Sequence, residues 1–323
     1  MPRQLSGFKP TGHLHLGNLL GAIRPTVSGP AADSVILVVD LHAMTVEHDP
    51  VQLRELTLEV AGLLLAAGVD PERSLFYAQS QVPEHTELHY LLECVTRYGE
   101  AHRMIQFREK AAGQQSARLS LLTYPTLMAA DILLHDIAEV PVGADQSQHL
   151  ELARDIAVRF NGRYGPTFVV PEAVNPGSTA RVRELSDPTA KMGKTGGHEA
   201  GVIYLLDEPE EVRRKVLRAV TDAGREVGYD PVAGPGVANL LEILAGCTDD
   251  DPARLAGSFA SYRELKAAVA DTVVAMLRPI QARYAELRSD TDAVRKILRV
   301  GADRARPIAQ AKLRQVRTRL GLL

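Results

Sequence analysis

The sequence predicts an α/β protein: a doubly wound parallel sheet in the first part of the chain and helices in the last. Three observations carry that prediction. Short apolar, β-branched runs alternate with segments of helical spacing through Ala78, and again from Val140. A loop rich in Gly and Pro joins the first strand to the first helix. From Pro209 onward the spacing is helical, relaxed only by the Gly/Pro segment from Gly224 to Gly236.

Arg3 to Ser6 reads as a short strand. Gly7, Pro10, Thr11 and Gly12 then break it into a loop, and apolar residues at helical spacing (Leu16, Leu19, Leu20, Ile23) follow. Strand, Gly-rich loop and helix together aim free backbone N–H groups at a bound phosphate. Gly17 and Gly21 permit close approach of a base or a neighbouring strand, and His13 and His15 sit on the rim of the turn. Taken alone, the stretch fits an ordinary strand–turn–helix connection equally well.

Ser34 to Asp40 is a strand apolar on both faces, as in a parallel sheet. His42 falls at its carboxyl edge, where open α/β folds bind ligands, and is either a site residue or a cap. Asp49-Pro50-Val51-Gln52 starts a helix that runs to Ala67 and stops at Gly68. Ser74 to Ala78 is the next strand. From Pro83 to about Gly113 the pattern is helical, with Leu88, Leu91, Leu92 and Val95 as one apolar stripe. In the charged segment after Phe107, Lys110 is either solvent-exposed or within reach of a nucleotide.

Leu121 to His135 reads as a helix with Pro125 in its first turn. Tyr124, Met128, Asp131 and His135 then share a face. Asp131 is a lone carboxylate among apolar residues, so it needs a donor, from the protein or from a ligand N–H. Val140 to Val142 is a strand ending in a Gly turn. A capping box of Asp145 and Gln148 opens a helix with the stripe His149, Leu152, Ala153, Ile156, Ala157 and Phe160. Lys191 and Lys194, three apart on a Gly-flanked loop, form either a solvated loop, the ordinary reading of Lys-x-x-Lys alone, or a mobile cationic clamp suited to phosphate. In the tail, Leu265, Val269, Val273, Leu277 and Tyr284 share a helix face, with a kink expected near Pro279.

Composition narrows the class. The 323 residues are 45% apolar, ordinary for a globular core of two domains, or of one with an appendage. No apolar run spans a membrane, the first residues show no secretory apolar region, and two cysteines (Cys94, Cys247) predict a reduced, cytoplasmic setting. The net charge of −3 argues against wrapping nucleic acid non-specifically. Nine Lys/Arg against two acids between Asp292 and Leu320 form either a solvated helix face or a phosphate-contacting surface.

Three motifs carry a family resemblance. Pro10-Thr11-Gly12 with His15-Leu16-Gly17-Asn18 resembles the His-Ile-Gly-His signature of class I aminoacyl-tRNA synthetases, in the form tryptophanyl-tRNA synthetases use. The run from Gly143 through Asp145-Gln146 and Gln148-His149 to Asn161 is similar to the same enzymes and is the most specific of the three. Lys191-Met192-Gly193-Lys194-Thr195 resembles Lys-Met-Ser-Lys-Ser. The resemblance spans nearly the whole chain.

It implies a Rossmann-like catalytic domain over 1–190, with a helical insertion at about 82–135 that supplies much of a homodimer contact. Residues 191–323 would then hold the signature loop and a helical anticodon-binding domain, with the last helix packed back on the catalytic part. The implied activity is tryptophan–tRNA ligase, using ATP with bound Mg²⁺, L-tryptophan and tRNA(Trp), and no resident metal, DNA or membrane. Its implied catalytic residues are His15, Asn18, Lys191 and Lys194. ATP would meet Lys9, Pro10, Thr11, Gly17, Asn18, Gly143, Ala144, Asp145, Val182, Lys191, Met192, Gly193, Lys194 and Thr195. Tryptophan would meet Asp131 through its indole N–H, with Tyr124, Met128, His42, Gln146 and Val142 around it. The chain departs from the family pattern at Leu5, Lys9, His15, Ala144, Gly193 and Thr195, which suggests a divergent or auxiliary copy. A tyrosyl enzyme or a small-molecule adenylyltransferase is disfavoured by Asp131 and the helical tail. A non-catalytic regulator is disfavoured by His15, Asn18 and the two lysines.

Overall fold

The structure is a computed structural model that describes residues 4–28, 34–105, 107–108, 118–141, 143, 146–174, 182–193, 199–224 and 226–323. β1 (Leu5–Phe8), β2 (Val35–Val38) and β3 (Leu75–Ala78) pair in parallel, with Val35 opposite both Leu5 and Leu75. β4 (Glu139–Pro141) and β5 (Glu172–Val174) form a second parallel pair. A bridge between Gln4 and Glu139, with Gln4 Nε2 donating to Glu139 Oε2 at 3.0 Å, joins the two. The order is therefore β3-β2-β1-β4-β5, and it reverses between β1 and β4. In open parallel sheets, ligands bind outside the carboxyl ends of the strands at such a reversal.

β2 is buried throughout because both of its faces are covered. Ile36 and Val38 join a core that includes Leu16, Leu63, Leu240, Leu265 and Val273. Val35 and Leu37 join the opposite core, with Leu88, Ile132, Leu150, Phe160 and Ala305. β1 runs through Gly7 to Phe8, where the sequence suggested a break after Ser6. Gly7 serves close packing there: a β-carbon would stand 3.2 Å from Val39 Cγ1.

The first helix runs through Leu16–Asn18, a wider turn at Leu19–Ile23, and Arg24–Ser28. The helix Pro50–Ala66 starts as its residues dictate, with Asp49 Oδ1 accepting the Val51 and Gln52 N–H groups. Gly68 follows it at φ +110°. Helices Glu84–Glu93, Tyr98–His102 and Leu119–Leu133 cover the second core. Pro125 lies inside the last of these, not in its first turn, because the helix begins at Leu119, with Arg118 as its N-cap. The helix also ends before His135. Helix Ser147–Tyr164 has Gln146 at its N-cap, and Gln148 does not close a capping box. Gln148 Oε1 accepts Ile105 N–H at 2.8 Å instead, a partner that only the tertiary fold supplies.

The helices Pro209–Leu217, Pro235–Thr248, Pro252–Ala256 and Tyr262–Ser289 complete the first core, with Pro279 inside the longest of them. Thr291–Leu320 then crosses to lie against β3. Gly301 makes that approach possible, since a β-carbon would come 1.9 Å from the Phe76 carbonyl oxygen. Arg304 donates to the Pro71, Glu72 and Ser74 carbonyls, and Arg306 to that of Gln81. Lys312 pairs with Asp136 and donates to Thr167 O, and Arg317 pairs with Glu87. Much of the basic run thus clamps the last helix to the sheet domain, a role that neither sequence alternative covered. Among the described residues, no helix is long and apolar enough to cross a membrane.

Candidate active site

Two of the motif loops meet. Leu16 N–H donates to Ile203 O at 2.8 Å, and Leu205 N–H to Leu14 O at 2.9 Å, so the segment around Tyr204 holds the first loop from one side. His15 is buried at the start of the first helix, and its backbone N–H donates to Asn18 Oδ1 at 3.1 Å. That bond fixes the Asn18 amide with Nδ2 as its donor end. A β-carbon on Gly17 would lie 3.1 Å from the His15 ring and 3.6 Å from Met192 Cβ. Glycine therefore lets the imidazole and the third motif close on one turn.

Met192, 1% exposed, donates its N–H to Val182 O at 3.1 Å, and Lys191 bridges Arg183. Val182, Lys191, Met192 and Gly193 therefore sit on a hairpin laid against the first motif, with Lys191 exposed. His13 is exposed and its Nδ1 lies 2.7 Å from Glu59 Oε1, outside the cluster. Lys110, Val142, Ala144, Asp145, Lys194 and Thr195 lie outside the described residues. Gly143 is exposed just past β4.

The second group surrounds Asp131, which is 2% exposed. Its apolar surround, as read from the sequence, is corrected by the fold. His42 Nε2 lies 2.9 Å from Oδ2, and Gln79 Nε2 donates to Oδ1 at 2.7 Å. His85 Nδ1 is 2.7 Å from Oδ1, close but off the ideal hydrogen-bond line. These partners come from the ends of β2 and β3 and from the insertion, too distant in sequence to read by spacing. Burial pushes the carboxyl pKa up, but the hydrogen-bonding contacts with His42 and His85 outweigh it. The carboxyl is held well below its usual range and stays ionised.

The remaining candidates extend from this acid. The His42 ring meets Tyr124 edge-on at 6.3 Å, and Tyr124 Oη is 2.7 Å from His149 Nε2. His149 Nδ1 is 3.1 Å from Gln146 Oε1. Burial pushes the Tyr124 hydroxyl far above its ordinary pKa, so it remains a neutral donor. Met128, half-buried, lies one helical turn from both Tyr124 and Asp131. Lys9 Nζ donates to Thr45 Oγ1 at 2.9 Å, and Thr45 donates on to His42 O, so Lys9 reaches the end of the short helix Asp40–Ala43 that carries His42. In the first loop Pro10 is buried and Thr11 half-buried. His135, expected on the Asp131 face, lies past the helix end and contacts Tyr77.

Sequence reasoning missed Gln79, His85 and, as a polar partner, His149. Gln79 directly follows β3, so the strand-end rule that selected His42 would have found it. His85 carried no such signal. Chemically, one end of the site offers a helix N-terminus, an amide and a lysine to an anion. The other offers a buried anion to a neutral N–H donor.

The family described as tRNA synthetases class I (W and Y) matches residues 2–278 of this chain. The tryptophan–tRNA ligase 1 of Streptomyces coelicolor is 55% identical, covering 100% of this chain and 98% of that protein. The crystal structure of tryptophanyl-tRNA synthetase from Mycoplasma pneumoniae is similar at a TM-score of 0.93 and 34% identity, covering 100% of this chain and 98% of its own. That from Campylobacter jejuni, complexed with ADP and tryptophan, is similar at 0.84 and 33%, covering 99% and 100%.

Proposed function

The chain belongs to the class I tRNA synthetases (W and Y), and we propose that it acts as a tryptophan–tRNA ligase whose indole acceptor is Asp131. The single observation that supports this acceptor is an ionised carboxylate buried beside His42, at the carboxyl edge of the sheet. An indole N–H is a neutral donor matched to such a group. A site built to bond that N–H rejects analogues lacking it by about 10⁴–10⁵-fold, against about 10–200-fold per methylene in an apolar pocket.

In the first step the tryptophan carboxylate attacks the α-phosphorus of ATP. The bond to the bridging oxygen breaks, and pyrophosphate leaves with its electron pair. In the second step, the terminal ribose hydroxyl of tRNA(Trp) attacks the mixed anhydride and releases AMP. His15, Asn18 and the N-terminus of the first helix donate to ATP phosphates, and Lys191 offsets charge on the leaving group, with Lys194 and Thr195 assigned beside it. Thr11, Gly17, Val182, Met192 and Gly193 line the nucleotide, with Pro10, Gly143, Ala144 and Asp145. Tyr124, Met128, His42, Gln146 and Val142 enclose tryptophan, and Lys9 reaches from the nucleotide loop to its edge. ATP would carry Mg²⁺ on its phosphates, where the ion would offset their charge. Among the described residues, no three His, Cys, Asp or Glu side chains are placed to hold a metal.

Exposed Tyr90, Tyr98, Ile105 and Leu119 on the insertion support a homodimer through that surface. The free thiols of Cys94 and Cys247 fit work in the cytoplasm. ATP–pyrophosphate exchange with each of the twenty amino acids tests the function. Exchange with tryptophan is expected. Exchange with tyrosine alone, or with none, would overturn the reading.

A further inference from the structure

Behind Asp131 lies a buried polar chain that the proposed chemistry does not use. Tyr77 on β3, His85 and His135 are each fully enclosed. Tyr77 Oη lies 2.9 Å from His85 Nε2 and 2.5 Å from His135 Nε2. The three rings pack at centroid distances of 5.6, 5.9 and 6.0 Å. His85 Nδ1 completes the path to Asp131 Oδ1 at 2.7 Å. An apolar filling would pack the same space without burying these groups, which are costly unless matched.

The acid at one end sets the direction of every proton. An ionised carboxylate only accepts, so His85 presents N–H at Nδ1. With that proton at Nδ1, the lone pair of His85 is at Nε2, where it accepts the Tyr77 O–H. Tyr77 has spent its one proton, so its oxygen accepts from His135 Nε2–H. Burial and the charges of Asp131 and Glu84 push the Tyr77 hydroxyl well above its ordinary pKa, which keeps that proton in place.

The chain ends on a particular oxygen. Oδ1 of Asp131 faces both Gln79 and His85, whereas Oδ2 faces His42. A carboxylate has about four lone-pair sites, so two donors on Oδ1 leave the remaining acceptor capacity on Oδ2. We infer that Tyr77, His85 and His135 are positioning residues for tryptophan selection: they pin Oδ1, so that Oδ2 is presented to the indole N–H. The inference rests on the reading of Asp131 as the indole acceptor.

Steady-state ATP–pyrophosphate exchange on the full chain tests it, with the KM for tryptophan and for ATP measured separately. Tyr77→Phe deletes one oxygen and keeps the ring. His85→Leu removes both ring nitrogens, and His85→Asn restores an N–H toward Asp131. The first two are expected to raise the tryptophan KM roughly tenfold or more, the scale of a hydrogen bond to a charged group. The ATP KM and the kcat at saturating tryptophan should stay within about twofold, and His85→Asn should recover most of the loss. In an Asp131→Asn background, His85→Leu should add little, because the two act through one group.

Equal tryptophan KM changes in both backgrounds, parallel rises in the ATP KM, or an unmoved tryptophan KM would overturn the relay. If His85→Leu does not fold, Tyr77→Phe decides alone by the same criteria. If Asp131→Asn itself leaves the tryptophan KM unchanged, the acceptor reading fails and takes the relay with it. A relay failure alone leaves the Asp131→Asn effect standing.

Discussion

His42 Nε2 and Asp131 Oδ2 meet at 2.9 Å although 89 residues of sequence separate them. One residue follows β2 and the other is near the end of the Leu119–Leu133 helix, so the contact exists only once that helix packs on the sheet. The pair sets the Asp131 carboxylate in a site where that residue is 2% exposed. Such a charge needs fixed donors, and in the proposed function a substrate N–H is one more of them.

Asp131→Asn keeps the shape and removes the charge. It should raise the tryptophan KM by about 10–100-fold, the scale of a lost hydrogen bond to a charged group, with the ATP KM little changed. The chain contains no Trp, so the fluorescence of bound L-tryptophan reports binding directly. An unchanged KM would make the carboxylate structural.

Gly17 separates indole binding from phosphate chemistry. Its missing β-carbon leaves 3.1 Å to the His15 ring and 3.6 Å to Met192 Cβ, so Gly17→Ala presses on both motifs at once. His15→Ala removes the imidazole outright. Loss of one preorganised donor costs about 10²–10³ in kcat. His15→Ala should show that loss in pyrophosphate exchange, and Gly17→Ala a smaller one, with tryptophan fluorescence titrations unchanged for both.

Glu100 and Arg159 join the insertion to helix Ser147–Tyr164 by a two-pronged ion pair at 2.5 and 3.0 Å. Their side chains are 15% and 25% exposed. Burial raises the Glu100 pKa, but the Arg159 hydrogen bonds and charge outweigh it and hold the carboxyl below its ordinary 4.5. Arginine does not titrate in this range, so the sign is clear. The folded state binds the proton less readily than the unfolded state, and the pair stabilises above about pH 4.5. Its contribution is lost as pH falls through the lowered folded value. Glu100→Gln should cost about 1 kcal/mol at pH 7, and thermal melts of mutant and wild type should converge on acidification.

Gly301 tests the docking of the last helix. Gly301→Ala would drive a methyl group into the Phe76 carbonyl oxygen, a backbone atom that cannot swing aside. A loss of about 2 kcal/mol or more is expected, read as a lower Tm. Arg304→Ala, which removes three carbonyl contacts on the same surface, should act in the same direction by less.

The strand edges, the helix caps and two of the signature loops were legible because each depends on neighbours in sequence. Asp49 and Pro50 start a helix wherever they stand, and an all-apolar run such as Val35–Val38 has to be buried on both faces. Pro125 and Gln148 were misplaced for the converse reason. The helix starts at Leu119, ahead of the Leu121 expected from the sequence, and the Ile105 N–H engages the Gln148 side chain.

By itself, then, the sequence determined the family, the alternation of strand and helix, and the residue types proposed to meet phosphate and indole. Only the tertiary structure decided that Asp131 is met by His42, Gln79 and His85, and that much of the basic tail grips β3 and its neighbours. Local propensity is a property of adjacent residues. The partner of a buried charge is whatever distant side chain the packed core brings within about 3 Å, and that distance is written in no single stretch of chain.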